Sequence, residues 1–182
     1  MKTVDYTTTI LVGQTPKETF NAINNVRGWW SEEIVGNTNK LNDVFKYHFE
    51  DIHRCRLKII EVIPDKKVVW YVMDNYFKPG IFADSTHPLP SKDGFDKTEW
   101  IGTTIHFEIS EINNKTQMRF THLGLVPDYE CFDVCANGWN HYIGESLRSL
   151  ITTGKGQPNR TGKPMTTDEE KFHSDLGKSI PG

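Results

Sequence analysis

Residues 130–152, ECFDVCANGWNHYIGESLRSLIT, carry apolar side chains at Phe132, Ala136, Trp139, Ile143, Leu147 and Leu150. Steps of three and four collect such residues on one face of an α-helix, and here the stripe is wide and unbroken. Gly154, Gly156 and Pro158 then end it, so the spacing predicts one long helix over 130–152.

Upstream of this helix the period changes from helical to alternating. Residues 116–125 put Met118, Phe120 and His122 on one face and Gln117, Arg119 and Thr121 on the other, and Asn113-Asn114 supplies a hairpin turn from the preceding strand. That strand, 99–109, collects Ile101, Thr103, Ile105, Phe107 and Ile109 on one side. Residues 67–74 contain the apolar run VVWYVM. Segment 53–63 sets Cys55, Leu57, Ile59 and Ile63 against Arg54, Arg56 and Lys58, and 43–50 sets Phe45, Tyr47 and Phe49 against Lys46, His48 and Glu50. Segment 32–36 reads as a short edge strand and 3–12, TVDYTTTILV, as the first strand. Between those two, Thr15-Pro16-Lys17-Glu18 offers a capping hydroxyl, a proline at the first helical position and a glutamate three residues after the cap. A short helix carrying Phe20 and Ile23 follows, then a second helical turn over 26–30. Seven antiparallel strands with one apolar face need a cover, and the final helix is the element long enough to provide it. The expectation is an α+β fold in which a curved seven-stranded sheet wraps the C-terminal helix and leaves space beside the two short helices.

Residues 75–98, with three prolines and two glycines, show no durable period and read as a long loop inserted in a domain spanning 1–154. Residues 155–182 read as a polar tail, mobile or loosely docked, with one cap signal at Thr167-Asp168-Glu169-Glu170 ahead of Phe172 and Leu176.

Twenty-one basic residues against 24 acidic ones give a net charge of −3, so the chain lacks the positive field that holds nucleic acid. It shows no basic-then-apolar leader and no apolar run of the ~18 residues that span a bilayer, so the expectation is a cytoplasmic protein without membrane insertion. Cys55, Cys131 and Cys135 are an odd set and read as structural thiols; two cysteines four apart begin a metal site only where further ligands converge. Asp74, Tyr76, Asp84 and His87 cluster around the long loop without ligand-dense spacing, so no metal is expected. No nucleophile elbow, phosphate-binding glycine loop or dinucleotide fingerprint is present, and no cofactor is expected.

The order of TPKETFNAI after a strand, the Trp29-Trp30 pair, the THLGL run at 121–125 and the Gly138-Trp139 helix continuing through Leu147 and Leu150 to Gly154 resembles the START-like (SRPBCC) superfamily over about residues 3–154. Within it the chain is similar to the branch named after the activator of the 90-kilodalton heat-shock-protein ATPase. The resemblance implies a helix-grip fold with a central cavity, in a superfamily whose members bind apolar molecules such as lipids, polyketides and plant hormones and include some enzymes. The branch name implies a chaperone partner.

Joined to the strand phases, this suggests a cavity for an apolar or aromatic small molecule lined by Trp30, Phe45, Tyr47, Leu57, Ile105, Phe107, Phe120, His122 and Trp139. His122 reads either as a group that orients a ligand or transfers a proton, with Tyr142 or Arg119 beside it, or as a hydrogen-bonded core histidine. Trp29, Trp30, Trp70 and Trp139 read as an aromatic wall or as core, and Trp100 as a residue tucked under the long loop. His106 and Glu108 fall on the outward face of their strand. Three functions follow: a small-molecule binder, an enzyme using His122 on a bound compound, or an interaction module that modulates a chaperone ATPase.

Overall fold

Alternating burial produces six strands: β1 (Tyr6–Val12), β2 (Val44–Phe49), β3 (His53–Ile63), β4 (Lys67–Phe77), β5 (Thr104–Ile112) and β6 (Lys115–Leu123). The computed structural model describes residues 4–78, 81 and 100–176, and in it these strands form one antiparallel sheet in the order β1-β6-β5-β4-β3-β2. Two helices, α1 (Pro16–Asn24) and α2 (Val26–Trp29), make the crossing from β1 at one edge to β2 at the other. The expected capping box opens α1: the Glu18 amide donates to Thr15 Oγ1 and the Thr15 amide to Glu18 Oε2. Register shifts in the β3–β4 pairing after Arg56 and Ile59 bend the sheet about its apolar face.

The sheet has six strands rather than seven. Segment 32–36 makes only a single bridge, Val35 to Lys46, because Gly36 at φ 109° turns the chain away. A Cβ at Gly36 would lie 2.5 Å from the Val44 carbonyl oxygen, a close approach that only glycine allows. The loop begins later than residue 75, since Asn75 and Phe77 stay buried in β4 opposite Cys55 and His53. Nor does β5 begin at 99: Trp100 to Thr103 form a turn through Gly102 at φ 82°, which buries Trp100 and leaves Ile101 outside.

The C-terminal helix is continuous but not uniform. It comprises α3 (Phe132–His141), a π-helical segment at Tyr142–Leu147 and α4 (Arg148–Thr153), closed by Gly154 in the left-handed conformation. Its buried apolar residues Trp139, Ile143, Leu147 and Ile151 recur every four positions. On a straight α-helix such a repeat drifts by about 40° per step, and the wider π turn takes up that drift, keeping the stripe on the sheet. Phe132 and Ala136, expected in the stripe, are only half-buried, whereas Cys131 and Cys135 are buried and unbonded to each other.

Beyond Gly154 the chain returns over the domain. Gly156 runs so close to α2 that a Cβ would meet the Gly28 carbonyl oxygen at 2.1 Å. Asn159 then pairs by backbone with Trp30 and Glu32, and helix α5 (Thr167–Leu176) buries Phe172 in the core. The cap lies one residue before the expected Thr167: the Glu169 amide donates to Thr166 Oγ1 while Glu169 Oε2 accepts from the Thr166 amide. Residues 155–176 are therefore packed on the fold that the sequence reading closed at 154. Burial of one phenylalanine contributes about 1.5–3 kcal/mol and each net hydrogen bond about 1 kcal/mol. Truncation after Gly154 is expected to lower the melting temperature by on the order of 10 °C; an unchanged thermal melt by circular dichroism would show that the return segment contributes nothing.

Candidate functional site

Most of the space under the helix is filled. Trp29 and Trp70 stack at 6.1 Å, Phe107 meets Trp70 edge-on at 4.7 Å, and Phe120 meets Phe107 at 5.3 Å. Phe45, Leu57, Ile105, Phe107 and Phe120, all expected to line a cavity, belong to this filled core and are absent from the cavity wall. Among the described residues these rings fill the place where the curvature suggested a wide central hollow.

A smaller cavity of about 70 Å³ lies to one side, where the ends of β2, β3 and β4 approach α3 and α5. Of the nine expected lining residues, Trp30, Tyr47 and Trp139 face it. The sheet also contributes Phe49, His53 and Phe77, the turn before β5 contributes Trp100, and α5 contributes Asp168, Glu169 and Phe172. Helix α3 adds Cys135 and Gly138. At Gly138 an added Cβ would find no heavy atom of the described residues within 4 Å, so the helix leaves a gap there where any other residue would place a side chain.

His122 is not on that wall. The Trp139 indole N–H, a donor only, points to His122 Nδ1 at 3.1 Å, so the neutral ring carries its proton on Nε2. Nε2–H donates to Thr103 Oγ1 at 2.8 Å, and the Thr103 hydroxyl donates to the Trp100 carbonyl at 2.6 Å. Both ring nitrogens are thus occupied, and burial pushes the imidazolium down to about 3. His122 is the hydrogen-bonded core histidine, with no free nitrogen to exchange a proton with a ligand. Arg119 lies on the opposite, exposed face of β6. His106 is half-buried and its Nε2 meets the Thr104 hydroxyl, while Glu108 is exposed.

Tyr142 joins a different network. Its hydroxyl donates to Glu169 Oε1, and the Asn159 amide nitrogen lies 2.8 Å from Tyr142 Oη, 3.0 Å from Tyr47 Oη and 3.0 Å from Glu169 Oε1. Burial first, and for Tyr142 the neighbouring Tyr47 and Glu169 next, hold both phenols above their ordinary range and keep them protonated. This network pins α5 across the cavity mouth. His53 Nε2 meets Asn75 Oδ1 at 2.8 Å and the ring stacks on Phe77 at 4.2 Å; desolvation brings it down to about 4, so it is neutral near pH 7.

Two buried polar atoms of residues that line the cavity, Trp100 Nε1 and Asp168 Oδ2, have no partner among the described residues. Trp70 Nε1, deep in the filled core, also lacks one, so an orphaned indole is not by itself a ligand signature. Those of Trp100 and Asp168 differ in belonging to residues that border open space. Among the described residues no three His, Cys, Asp or Glu side chains converge as a metal site. Asp84 and His87 lie outside the described residues, and Asp74 and Tyr76 sit on the outer face of the sheet with Arg54 over the Tyr76 ring.

No known family profile matches the chain, and no curated protein sequence matches it. Solved structures do. The Aha1 dimer from Colwellia psychrerythraea aligns at TM-score 0.62 and 22% identity over 84% of this chain and 99% of that one. The likeness is one of fold. A protein from Staphylococcus saprophyticus aligns at 0.59 and 13% identity, over 86% of this chain and 98% of its own. One from the dynemicin biosynthetic locus aligns at 0.55 and 12% over 82% of this chain, which spans about half (48%) of that neighbour's length. These neighbours support an Aha1-like fold. Among the described residues no helix is long and apolar enough to cross a membrane.

Trp100, Gly138, Asp168 and Phe172 were absent from the expected site. The Thr-x-x-Glu cap before Phe172 was the available signal for the last two, while nothing local marks Gly138 as facing a gap.

The low His122 value sets a pH dependence. Between the ordinary 6.5 and about 3, the unfolded chain takes up a proton that the folded ring refuses, so stability falls as pH drops through that window. His53 adds to the fall between 6.5 and about 4. Denaturant titrations are expected to lose up to about 1.4 kcal/mol per pH unit per histidine, and His122→Gln should flatten the slope by about one such share. An unchanged slope in the variant would place the titration elsewhere.

Proposed function

We propose that this chain is a binding protein for a compact small molecule, held in the aromatic-walled cavity between the β2–β4 end of the sheet, α3 and α5. The observation that carries the reading is a pair of buried polar atoms, Trp100 Nε1 and Asp168 Oδ2, that lack a partner among the described residues and belong to residues lining a largely apolar, aromatic-rich wall. An unmatched buried polar group costs about 1–3 kcal/mol, which a ligand with matching groups recovers. Volume limits the guest. At about 70 Å³ the cavity is half the size of the roughly 150 Å³ engineered cavity that accepts benzene, so it takes a head group rather than a whole lipid or polyketide. Roughly three to four heavy atoms inside it, contributing about 1 kcal/mol each, correspond to a Kd in the millimolar range, and the rest of a guest extends into the cavity mouth. An enzymatic role through His122 finds no support, because both ring nitrogens are engaged away from the cavity.

Gly138→Leu tests the site. With the gap filled and a helix-interior glycine removed, the variant is expected to melt several degrees higher without ligand. It should also abolish the thermal shift and the tryptophan fluorescence change that a bound compound causes in the natural protein. A variant that still responds to the same compounds would rule this cavity out.

A second reading, modulation of a chaperone ATPase, rests on the fold shared with the Colwellia Aha1 dimer and on the family resemblance. It predicts at least a twofold stimulation of the 90-kilodalton heat-shock-protein ATPase by equimolar purified protein, and a flat titration would remove it.

A further inference from the structure

The charges around the cavity are one-sided. Among the described residues Asp168 and Glu169 are its only acidic lining residues and no lysine or arginine lines it, and His53 is neutral at physiological pH. Glu169 is engaged, with Oε1 facing Tyr142 and Asn159 and Oε2 accepting from the amides of Met165 and Thr166. Asp168 is not. An acidic residue in the first turn of α5 suits the helix dipole without any ligand, but a buried carboxylate oxygen with no donor is left short of one. Around it stand rings that can face a cation: Trp30, Tyr47, Phe77, Trp100, Trp139 and Phe172. Trp100, 3% exposed, adds an indole N–H with no acceptor among the described residues.

We infer that the cavity selects a compact organic ammonium ion that also carries a hydrogen-bond acceptor: the cation lies among the rings and against Asp168, and a hydroxyl or carbonyl oxygen takes the Trp100 N–H. Ring faces attract ammonium groups through their quadrupole, and the attraction grows as water is excluded, so an aromatic cage beside one carboxylate favours a cation over a neutral group of equal shape. The same arrangement opposes carboxylates and phosphates, which would meet Asp168 and Glu169 with no compensating cation on the described wall. This assignment of ligand class rests on the cavity being a binding site at all.

The test compares 2-(dimethylamino)ethanol, protonated at pH 7, with its neutral isostere 3-methylbutan-1-ol, using calorimetry and tryptophan fluorescence on the full chain. The ammonium compound is expected to bind at least tenfold tighter. Asp168→Asn, checked for native circular dichroism, should reduce that preference to threefold or less, while Gly138→Leu should abolish binding of both. Equal or tighter binding of the alcohol would overturn the ammonium assignment and leave the cavity as a binding site. Binding of neither would overturn both, and an undiminished preference in Asp168→Asn would overturn the role of that carboxylate. If Asp168→Asn fails to fold, tetramethylammonium chloride replaces it as the probe. Competition with 2-(dimethylamino)ethanol is then expected at millimolar concentrations where sodium chloride has no effect, and its absence would overturn the aromatic cage.

Discussion

The burial of Trp139 is the constraint on which the remaining arrangement turns. Its ring meets Phe120 of the sheet at 4.8 Å, Trp30 at 5.1 Å and Trp100 at 5.8 Å, so the helix cannot shift along the sheet without breaking all three contacts. An indole N–H in that setting needs an acceptor. His122 supplies one only while neutral, and its other nitrogen then carries an N–H that donates to Thr103 Oγ1, whose hydroxyl in turn donates to the Trp100 carbonyl. A single buried donor thereby fixes a tautomer, a hydroxyl and the turn that brings Trp100 to the cavity. The order of the chain is the same as its polarity, and reversing any link would leave a donor facing a donor.

A second constraint is breadth. Six strands about 4.8 Å apart span roughly 24 Å, whereas one helix with its side chains is about 10–12 Å across. The C-terminal helix therefore cannot cover the sheet by itself. Helix α1 contacts β5 and β6, leaving the β2–β4 end to be closed by something else. The return segment does this, tied by Ser146, whose hydroxyl donates to the Trp29 carbonyl while accepting from the Gln157 amide, and by the Asn159 side chain between Tyr47, Tyr142 and Glu169. The cavity is what remains where this second cover meets the first imperfectly.

Local signals in the sequence were sufficient for elements and insufficient for the space between them. The capping box at Thr15 and Glu18, the alternation through β2, β3, β5 and β6, and the apolar run of the last helix each follow from contacts within a few residues, and each was legible. Val35 and Gly36 satisfy a strand pattern whose failure depends on how closely β2 approaches, and Trp100 reads as outward only if the strand phase is carried back through Gly102, where the backbone turns. Cavity lining was the least legible property. Phe45, Leu57 and Phe107 share the inward phase of Tyr47, yet whether an inward residue meets a ring or a void depends on which large side chain arrives from another element. Trp29 and Trp70 arrive over the middle of the sheet, while α3 presents Gly138 at its end. Asn159 and Asp168 were hidden for another reason: a segment rich in Gly, Pro and charge resembles an unattached tail unless the buried partners of its few specific residues are known.

Keeping the gap at Gly138 has a measurable thermodynamic consequence. An unfilled volume of about 70 Å³, at about 24 cal/mol per Å³, forgoes nearly 2 kcal/mol, and a glycine inside a helix forgoes about 1 kcal/mol more. Against a net stability of about 5–15 kcal/mol for a domain of this kind, the sum is large, and one larger side chain at position 138 would recover much of it. A guest present at a hundred times its Kd restores about 2.7 kcal/mol, close to what the gap forgoes. The cavity and the two unmatched polar atoms of residues that line it are thus terms of the same balance, and a head group bearing a donor for Asp168 and an acceptor for Trp100 is the kind of guest that closes it.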